Sequence, residues 1–494
     1  MRKSQHEETK QVAFRDLWGP NKREELLESL RHPQAELYES FEPEVELGYP
    51  LAPLETGPNY LKWPLLSELF PVSYPGIQPS RDSVVVDIER EKLAERMESY
   101  FDSNISNEEM TRISPAAMRA TKRFGALAAR EWLQRRGLLR DNFVRYCYRP
   151  FDTRWLYWEP ETKLLDEKRT EYFPQVFEGN IWMSAAKQNR KLYDSPYFAS
   201  VHTSRHVIER GANLFPLYVK ETDSLFADSD LSEAAHPNLS ADARQYLEGL
   251  GEPADVESLF YHALATSHSV AYAEENAGAL RQNWPRIPLP SSADELLSSA
   301  HLGRQLAALM NTESDVSGVT SGSLRAELRP MAAVSRTSEG SLDPSAGDLT
   351  VTAGWGYRSG TGAIMPGQGR AVERDYTLEE LEAIGRGSES LDLSLEEMLA
   401  VLGETTFDVY INNAAYWRNV PARVWEYTTG GYRVVKKWLS YREARVLGRD
   451  LAVEEAREVN RIVRRTAAIL LLSPRLDSNY RGITISDQEK SQSR

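Results

Sequence analysis

The chain has 494 residues, 41% of them hydrophobic, with a mean hydropathy of −0.52 and a formal charge of −14. That length accommodates several domains around a sizeable core. The single cysteine, Cys147, excludes an internal disulfide and a Cys-cluster zinc site, and the strongest apolar run, Ala467 to Leu472, is too short to span a bilayer.

The N-terminal M-R-K-S-Q-H-E-E-T-K lacks the apolar core of a signal peptide, so a cytoplasmic location is expected. Residues 1–110 read as a mixed, proline-containing region. Within it Glu24–Leu30 predicts a short helix, Tyr60–Pro64 an extended aromatic segment, Ser83–Asp87 a buried strand and Glu89–Phe101 a helix. Residues 111–312 form a second region. Ser114-Pro115 supplies a cap and a first turn for an amphipathic helix running to Arg136. Short aromatic and β-branched runs from Phe143 to Val219, punctuated by Pro, Gly and Asp, predict strands. Val256–Leu280 and Ala293–Met310 predict helices. Residues 313–376 are rich in Gly, Ser and Thr and predict long loops with edge strands. In residues 377–494, Leu378–Ile384 and Leu395–Leu402 predict helices capped by Thr and Ser, Phe407–Asn412 a strand, and Val453–Leu472 a long closing helix. The expectation is an α+β fold with short β-sheets, several amphipathic helices and a long C-terminal helix.

The net charge conceals strong segregation. Arg119 to Arg154 holds ten basic residues against Glu131, Asp141 and Asp152, a net of +7. From Glu221 to Glu275 only Arg244 opposes a dozen acids, and Arg418 to Arg465 is basic again, with twelve cations and six acids. Such alternation fits a polarised molecule with one anion-facing side, and equally fits mutual neutralisation across domain contacts.

Two clusters concentrate cations among aromatic rings. In W-E-Y-T-T-G-G-Y-R-V-V-K-K-W-L-S-Y-R (Trp425–Arg442), Gly430 and Gly431 allow a sharp bend and a close backbone approach. Tyr432 can stack or pack there. Lys436, Lys437 and Arg442 supply cations for phosphates, and Arg433 carries the planar fork that matches a guanine edge. An aromatic core turn with solvated lysines would use the same residues. In Y-R-P-F-D-T-R-W-L-Y-W (Tyr148–Trp158), Arg149 and Arg154 flank Asp152, so either guanidinium can face DNA or close an internal salt bridge. The alternating rings also suit a half-buried strand.

Other chemistries find little support. The sequence contains no GxxxxGK[ST] loop, no GxGxxG strand-to-helix turn, no GxSxG elbow and no [DNS]PP[YFW] loop of an amino-methyltransferase. His202 and His206 lack the intervening Glu of a zinc peptidase. Asp152 followed by Asp166-Glu167-Lys168 echoes the acid-then-D-x-K pattern of Mg²⁺-dependent nucleases, a spacing common by chance.

Four ordered segments carry a family resemblance: R-P-F-D-T-R-W-L-Y-W (Arg149–Trp158), N-L-F-P-L-Y (Asn213–Tyr218), W-P-R-I-P-L (Trp284–Leu289) and Val424–Arg442. Together they resemble the C-terminal specificity region of Type ISP restriction-modification enzymes and related N6-adenine DNA methyltransferases. The N-terminal L-W-G-x-x-K-R-E-E-L (Leu17–Leu26) is similar to the segment that follows the methyltransferase core there. The resemblance implies recognition of double-stranded DNA with no cofactor in this chain. S-adenosylmethionine and the catalytic loop would reside on a methyltransferase partner, and the chain would be a stand-alone subunit, a split-gene product or a fragment. The alternatives left open are a structural subunit of a defence complex and a nuclease using Asp152, Asp166 and Lys168.

Overall fold

The computed structural model describes residues 11–33, 37–189, 193–208, 211–220, 234–251, 255–360 and 362–492, with side chains to residue 485. The protein is α+β, with helices and three small four-stranded sheets interleaved along the chain. One sheet orders Val86–Asp87, Asp152–Tyr157, Phe143–Arg149 and His202–Thr203, the last pairing parallel to its neighbour. A second places Tyr74–Pro75, Ala212–Pro216, Trp182–Ala186 and Tyr197–Ala199 side by side. A third, wholly antiparallel, joins Ala333–Arg336, Ala415–Pro421, Thr405–Tyr410 and Ala371–Asp375.

Local sequence explains most boundaries. Thr377 and Ser394 each close a capping box with Glu380 and Glu397, starting Leu378–Gly385 and Leu395–Leu402 where expected. Ser292 caps Ala293–Met310 by accepting from the Glu295 N–H. That helix packs on Val256–Ser267 at Gly303, where an added Cβ would collide with the Tyr261 carbonyl.

Four expectations are corrected. The helix begun at Ser114 starts instead at Ala126, because Ser114 terminates the Asn107–Ile113 helix and the chain turns through residues 114–125 first. Ser83–Val85 lie in a short helix, Asp82–Val85, that feeds the strand Val86–Asp87. Val256–Leu280 breaks into three helices at Ser269 and Asn276, since the Ser269 hydroxyl accepts from the Tyr272 N–H and restarts the chain as an N-cap. The closing helix does not stop near Leu472 but runs 40 residues, Val453–Gln492, through Pro474. Proline leaves the Leu470 carbonyl without its usual N–H donor, and the Ser473 hydroxyl, 2.7 Å away, donates to it instead. A further helix, Ala241–Leu250, follows the acidic stretch with no prior expectation.

The long helix organises the interior. At about 1.5 Å per residue it spans ~60 Å, and Val459, Ile462, Val463, Ala467 and Leu471 enter the largest apolar cluster. Arg465 caps the end of Ala293–Met310, donating to the carbonyls of Ala308 (2.8 Å), Leu309 (3.1 Å) and Asn311 (2.9 Å). Farther on, Tyr480 joins a separate cluster with Tyr60, Trp63, Tyr272 and Leu280. No helix among the described residues is long and apolar enough to cross a membrane.

Candidate nucleic-acid interface

The Gly-Gly pair forms a two-residue hairpin. Thr428 pairs with Arg433 and Thr429 with Tyr432, while Gly430 (φ +63°) and Gly431 (φ +73°) both occupy the left-handed region. Positive φ at both central positions gives a turn whose twist matches its strands, and glycine adopts it without strain. The hairpin is seated on distant chain. The Gly430 N–H donates to the Asp194 carboxylate at 3.1 Å, and a Cβ on Gly430 would stand 3.1 Å from the Ile208 Cα. Tyr432 (50% exposed) and Arg433 therefore form an outward rim. Immediately after it, Val434–Ser440 begins as a helix, its first N–H donating to the Tyr427 carbonyl at 3.0 Å.

Behind the rim lies a stack of cations and rings. Phe143–Arg149 and Asp152–Tyr157 are joined by a tight turn at Pro150-Phe151, which brings Arg149 opposite Asp152. Asp152 is buried and accepts from Arg154 Nη2 at 2.6 Å, Arg154 Nε at 3.1 Å and Arg442 Nη2 at 2.8 Å. The Arg154 guanidinium lies over Tyr148 (4.0 Å) and Tyr441 (4.2 Å), and Arg442 lies over Trp438 (3.7 Å). Arg149 covers Tyr148 at 4.4 Å, and the Lys437 ammonium sits between Tyr432 (4.6 Å) and Tyr441 (4.8 Å). The Tyr148 hydroxyl donates to Asp82 at 2.6 Å.

Positive charge is in surplus here. Burial would push Asp152 up, but Arg154 and Arg442 outweigh it and hold the carboxyl well below its usual range. Burial likewise opposes ionisation of Tyr441, yet Arg149, Lys437 and Arg154 bring that phenol below an ordinary tyrosine. Burial and the neighbouring arginines lower Lys437, although Tyr441 pulls the other way. Lys436 is lowered by burial and by Arg433. Arg442 Nε finds no acceptor among the described residues.

A cleft of about 670 Å³ opens between the hairpin and the segment around residues 193–208. Its walls include Arg149, Tyr193, Asp194, His206, His268 and Tyr432. Burial pushes His268 down to about 4, and its Nε2 lies 2.7 Å from the Pro196 carbonyl, so the ring braces the wall as a neutral donor.

The nine site residues expected from sequence fall into three groups. Arg149, Gly430, Gly431 and Tyr432 line the cleft. Arg433 and Lys436 are not among the residues lining it, Arg433 being exposed and 3.2 Å from Glu426 and Lys436 half-buried. Arg154 and Arg442 are buried against Asp152, and Lys437 is buried between rings, so these three support the surface instead of presenting their charge outward. For Arg154 the internal salt bridge, the alternative open from the sequence, is the arrangement found. Tyr193 and Asp194 escaped the sequence reading, and His206 was weighed there only as a metal ligand, because nothing local marks them as neighbours of a hairpin more than two hundred positions away.

The nuclease pattern does not assemble a free carboxylate at Asp152, which two guanidinium groups occupy. Lys168 donates to the Thr162 carbonyl, and Asp166 accepts from Ser80 at 3.0 Å. Among the described residues no cluster of three or more His, Cys, Asp or Glu could hold a metal ion. His202 is buried beside Phe173, with ring centroids 4.5 Å apart, and is not arranged as a ligand.

A family model, the Type ISP C-terminal specificity domain, matches residues 68–472. No curated protein matches. Among solved structures, a DrdV–DNA complex aligns with a TM-score of 0.54 at 17% identity, over 92% of this chain and 42% of that one. A nuclease-deletion mutant of the Type ISP restriction-modification enzyme LlaGI, in complex with a DNA substrate mimic, aligns at 0.50 and 15% identity, over 93% and 37%. The ATP-dependent Type ISP restriction-modification enzyme LlaBIII bound to DNA aligns at 0.51 and 12% identity, over 90% and 26%. At these identities the likeness is one of fold, and this chain spans less than half the length of each.

Proposed function

This chain belongs to the Type ISP C-terminal specificity domain family, and from that membership we propose that it recognises target sequence in double-stranded DNA for a restriction-modification methyltransferase. The observation that carries this reading is the surplus of positive charge behind the rim formed by Tyr432, Arg433 and Lys436. The similar structures named above are of proteins in complex with DNA or a DNA mimic, which supports it.

In this mechanism Lys436 and Arg149 contact phosphates and set the register, while the exposed Arg433 fork reads a guanine edge in the major groove. The buried triad of Asp152, Arg154 and Arg442 holds the platform rigid. Chemistry on adenine would require a flipped base, and it falls to a methyltransferase core that binds S-adenosylmethionine elsewhere. Trp18 (80% exposed), Leu30 (79%) and Leu51 (78%) are exposed large apolar side chains of the N-terminal segment, each available to contact such a core.

The test is titration of the full chain against labelled duplexes at several salt concentrations. Recognition predicts that log K falls linearly with log salt, and that Lys436→Ala reduces the slope by about 0.9. Arg433→Ala should instead relax preference among sequences. Binding that is absent, or indifferent to salt, refutes the reading.

A further inference from the structure

We propose a second DNA-contacting element on this chain, the turn around Lys122 and Arg123, which grips phosphates without reading sequence; the inference rests on the DNA-binding reading above. From Thr111 to Arg130 the sequence contains five basic residues and no acid. One of the five, Arg130, has a structural task. It is buried and donates to the carbonyls of Tyr100 (3.0 Å), Asp102 (3.0 Å) and Ile105 (2.7 Å) and to the Asn107 side chain (2.7 Å). The other four, Arg112, Arg119, Lys122 and Arg123, are exposed, and none forms an ion pair among the described residues. The exposed arginines that follow them do have such a partner, as Arg135 has Glu131 and Arg140 has Glu98.

The two central cations are displayed by a rigid device. Thr121 and Phe124 exchange backbone hydrogen bonds of 2.9 and 3.2 Å, which places Lys122 and Arg123 at the tip of a tight turn. Phe124 is 2% exposed and anchors that tip in an apolar cluster with Leu93, Tyr100 and Leu164. Directly after the turn, the Ala126–Arg136 helix begins with no acidic residue in its first turn and no side-chain cap, so its partial positive end adds to the field.

The turn is linked through packing to the cation stack beside the cleft. The Arg81 guanidinium lies 3.8 Å from the Phe124 ring centroid, and the next residue, Asp82, accepts the Tyr148 hydroxyl beneath Arg149. Consecutive Cα atoms are about 3.8 Å apart, so one residue step links the turn to the cation stack. In a protein of net charge −14, four unpaired like charges repel one another unless an anion meets them. A duplex presents one charge per roughly 1.7 Å of its axis and fits an extended positive face better than a compact anion does.

The experiment uses the full chain and a labelled duplex of arbitrary sequence, about 30 base pairs long, titrated between roughly 50 and 200 mM salt. The variant Arg119→Ala/Lys122→Ala/Arg123→Ala should make the salt slope shallower by roughly 2–3, with affinity lowered to the same degree for every duplex and sequence preference retained. The charge-conserving Arg119→Lys/Lys122→Arg/Arg123→Lys should keep the original slope, which separates a charge effect from misfolding. If the parent chain binds duplex and the alanine variant has an unchanged slope, this inference is overturned while the recognition reading stands. If the parent chain binds no duplex, both are overturned.

Discussion

Replacing Asp152 with alanine strips the shared anion from two buried arginines. The carboxylate accepts three charge-assisted hydrogen bonds, of 2.6, 2.8 and 3.1 Å. At about 1.5–3 kcal/mol each these would sum to ~5–9 kcal/mol. The arginines retain their rings, Arg154 over Tyr148 and Tyr441 and Arg442 over Trp438, which softens the loss. The expected cost is therefore ~3–5 kcal/mol, the range for breaking a buried pair from one side. Against a typical stability of about 5–15 kcal/mol, that should move the urea midpoint by a fifth or more of its value. Asp152→Asn keeps an acceptor without the charge and should fall between. The pH dependence has a definite sign. Folding lowers the pKa of Asp152, so its contribution is complete above the unfolded value of about 3.9 and is lost as pH falls through the lower folded value. The alanine variant should accordingly lose less further stability than the parent as pH drops below about 4. A variant within ~1 kcal/mol of the parent would show that Asp152 is not what compensates the two arginines.

Two further predictions concern the hairpin and the buried imidazoles. Gly430→Ala and Gly431→Ala both force an L-residue into the left-handed region, at about 1–2 kcal/mol, but only at Gly430 would the new Cβ press on Ile208. Thermal unfolding should show the larger loss for Gly430→Ala, and only that variant should weaken duplex binding, because it lifts the rim from its seat; equal effects would refute the seating. His202, His262 and His268 are each pushed down to about 4 by burial. Their neutral forms contribute fully above the unfolded value of about 6.5, and that stability is lost as pH falls toward the folded value, by ~3 kcal/mol for each group in the limit. Urea midpoints measured across that window should decline for the parent, and His262→Gln should decline less steeply.

What the sequence disclosed was local. Capping boxes at Thr377 and Ser394 declared their helices because donor and acceptor lie three residues apart. Gly430-Gly431 declared a turn for a similar reason. The end expected at Leu472 fell short, since continuation through Pro474 relies on Ser473, whose compensation depends on a hydroxyl rotamer. The site was half legible. Asp152 beside Arg154 suggested a salt bridge, but Arg442, the second cation on that carboxylate, sits 290 residues away and is placed by the fold alone. Burial then separates residues that look alike in sequence: Lys436 is half-buried and reaches the surface, whereas its neighbour Lys437 is enclosed by rings.

The far end of the 40-residue helix has a consequence for biosynthesis. Asp477 accepts from Ser269 and from the Ala271 N–H, and Tyr480 stands edge-on to Trp63. Trp63 thus waits for a partner about 420 residues downstream, and at about 5–20 residues per second the ribosome takes roughly 20–80 s to deliver it. Throughout that interval the nascent chain carries Tyr60 and Trp63, joined about halfway by Tyr272, without their final lid, a stage at which a chaperone able to hold exposed aromatic surface would raise the yield of native protein.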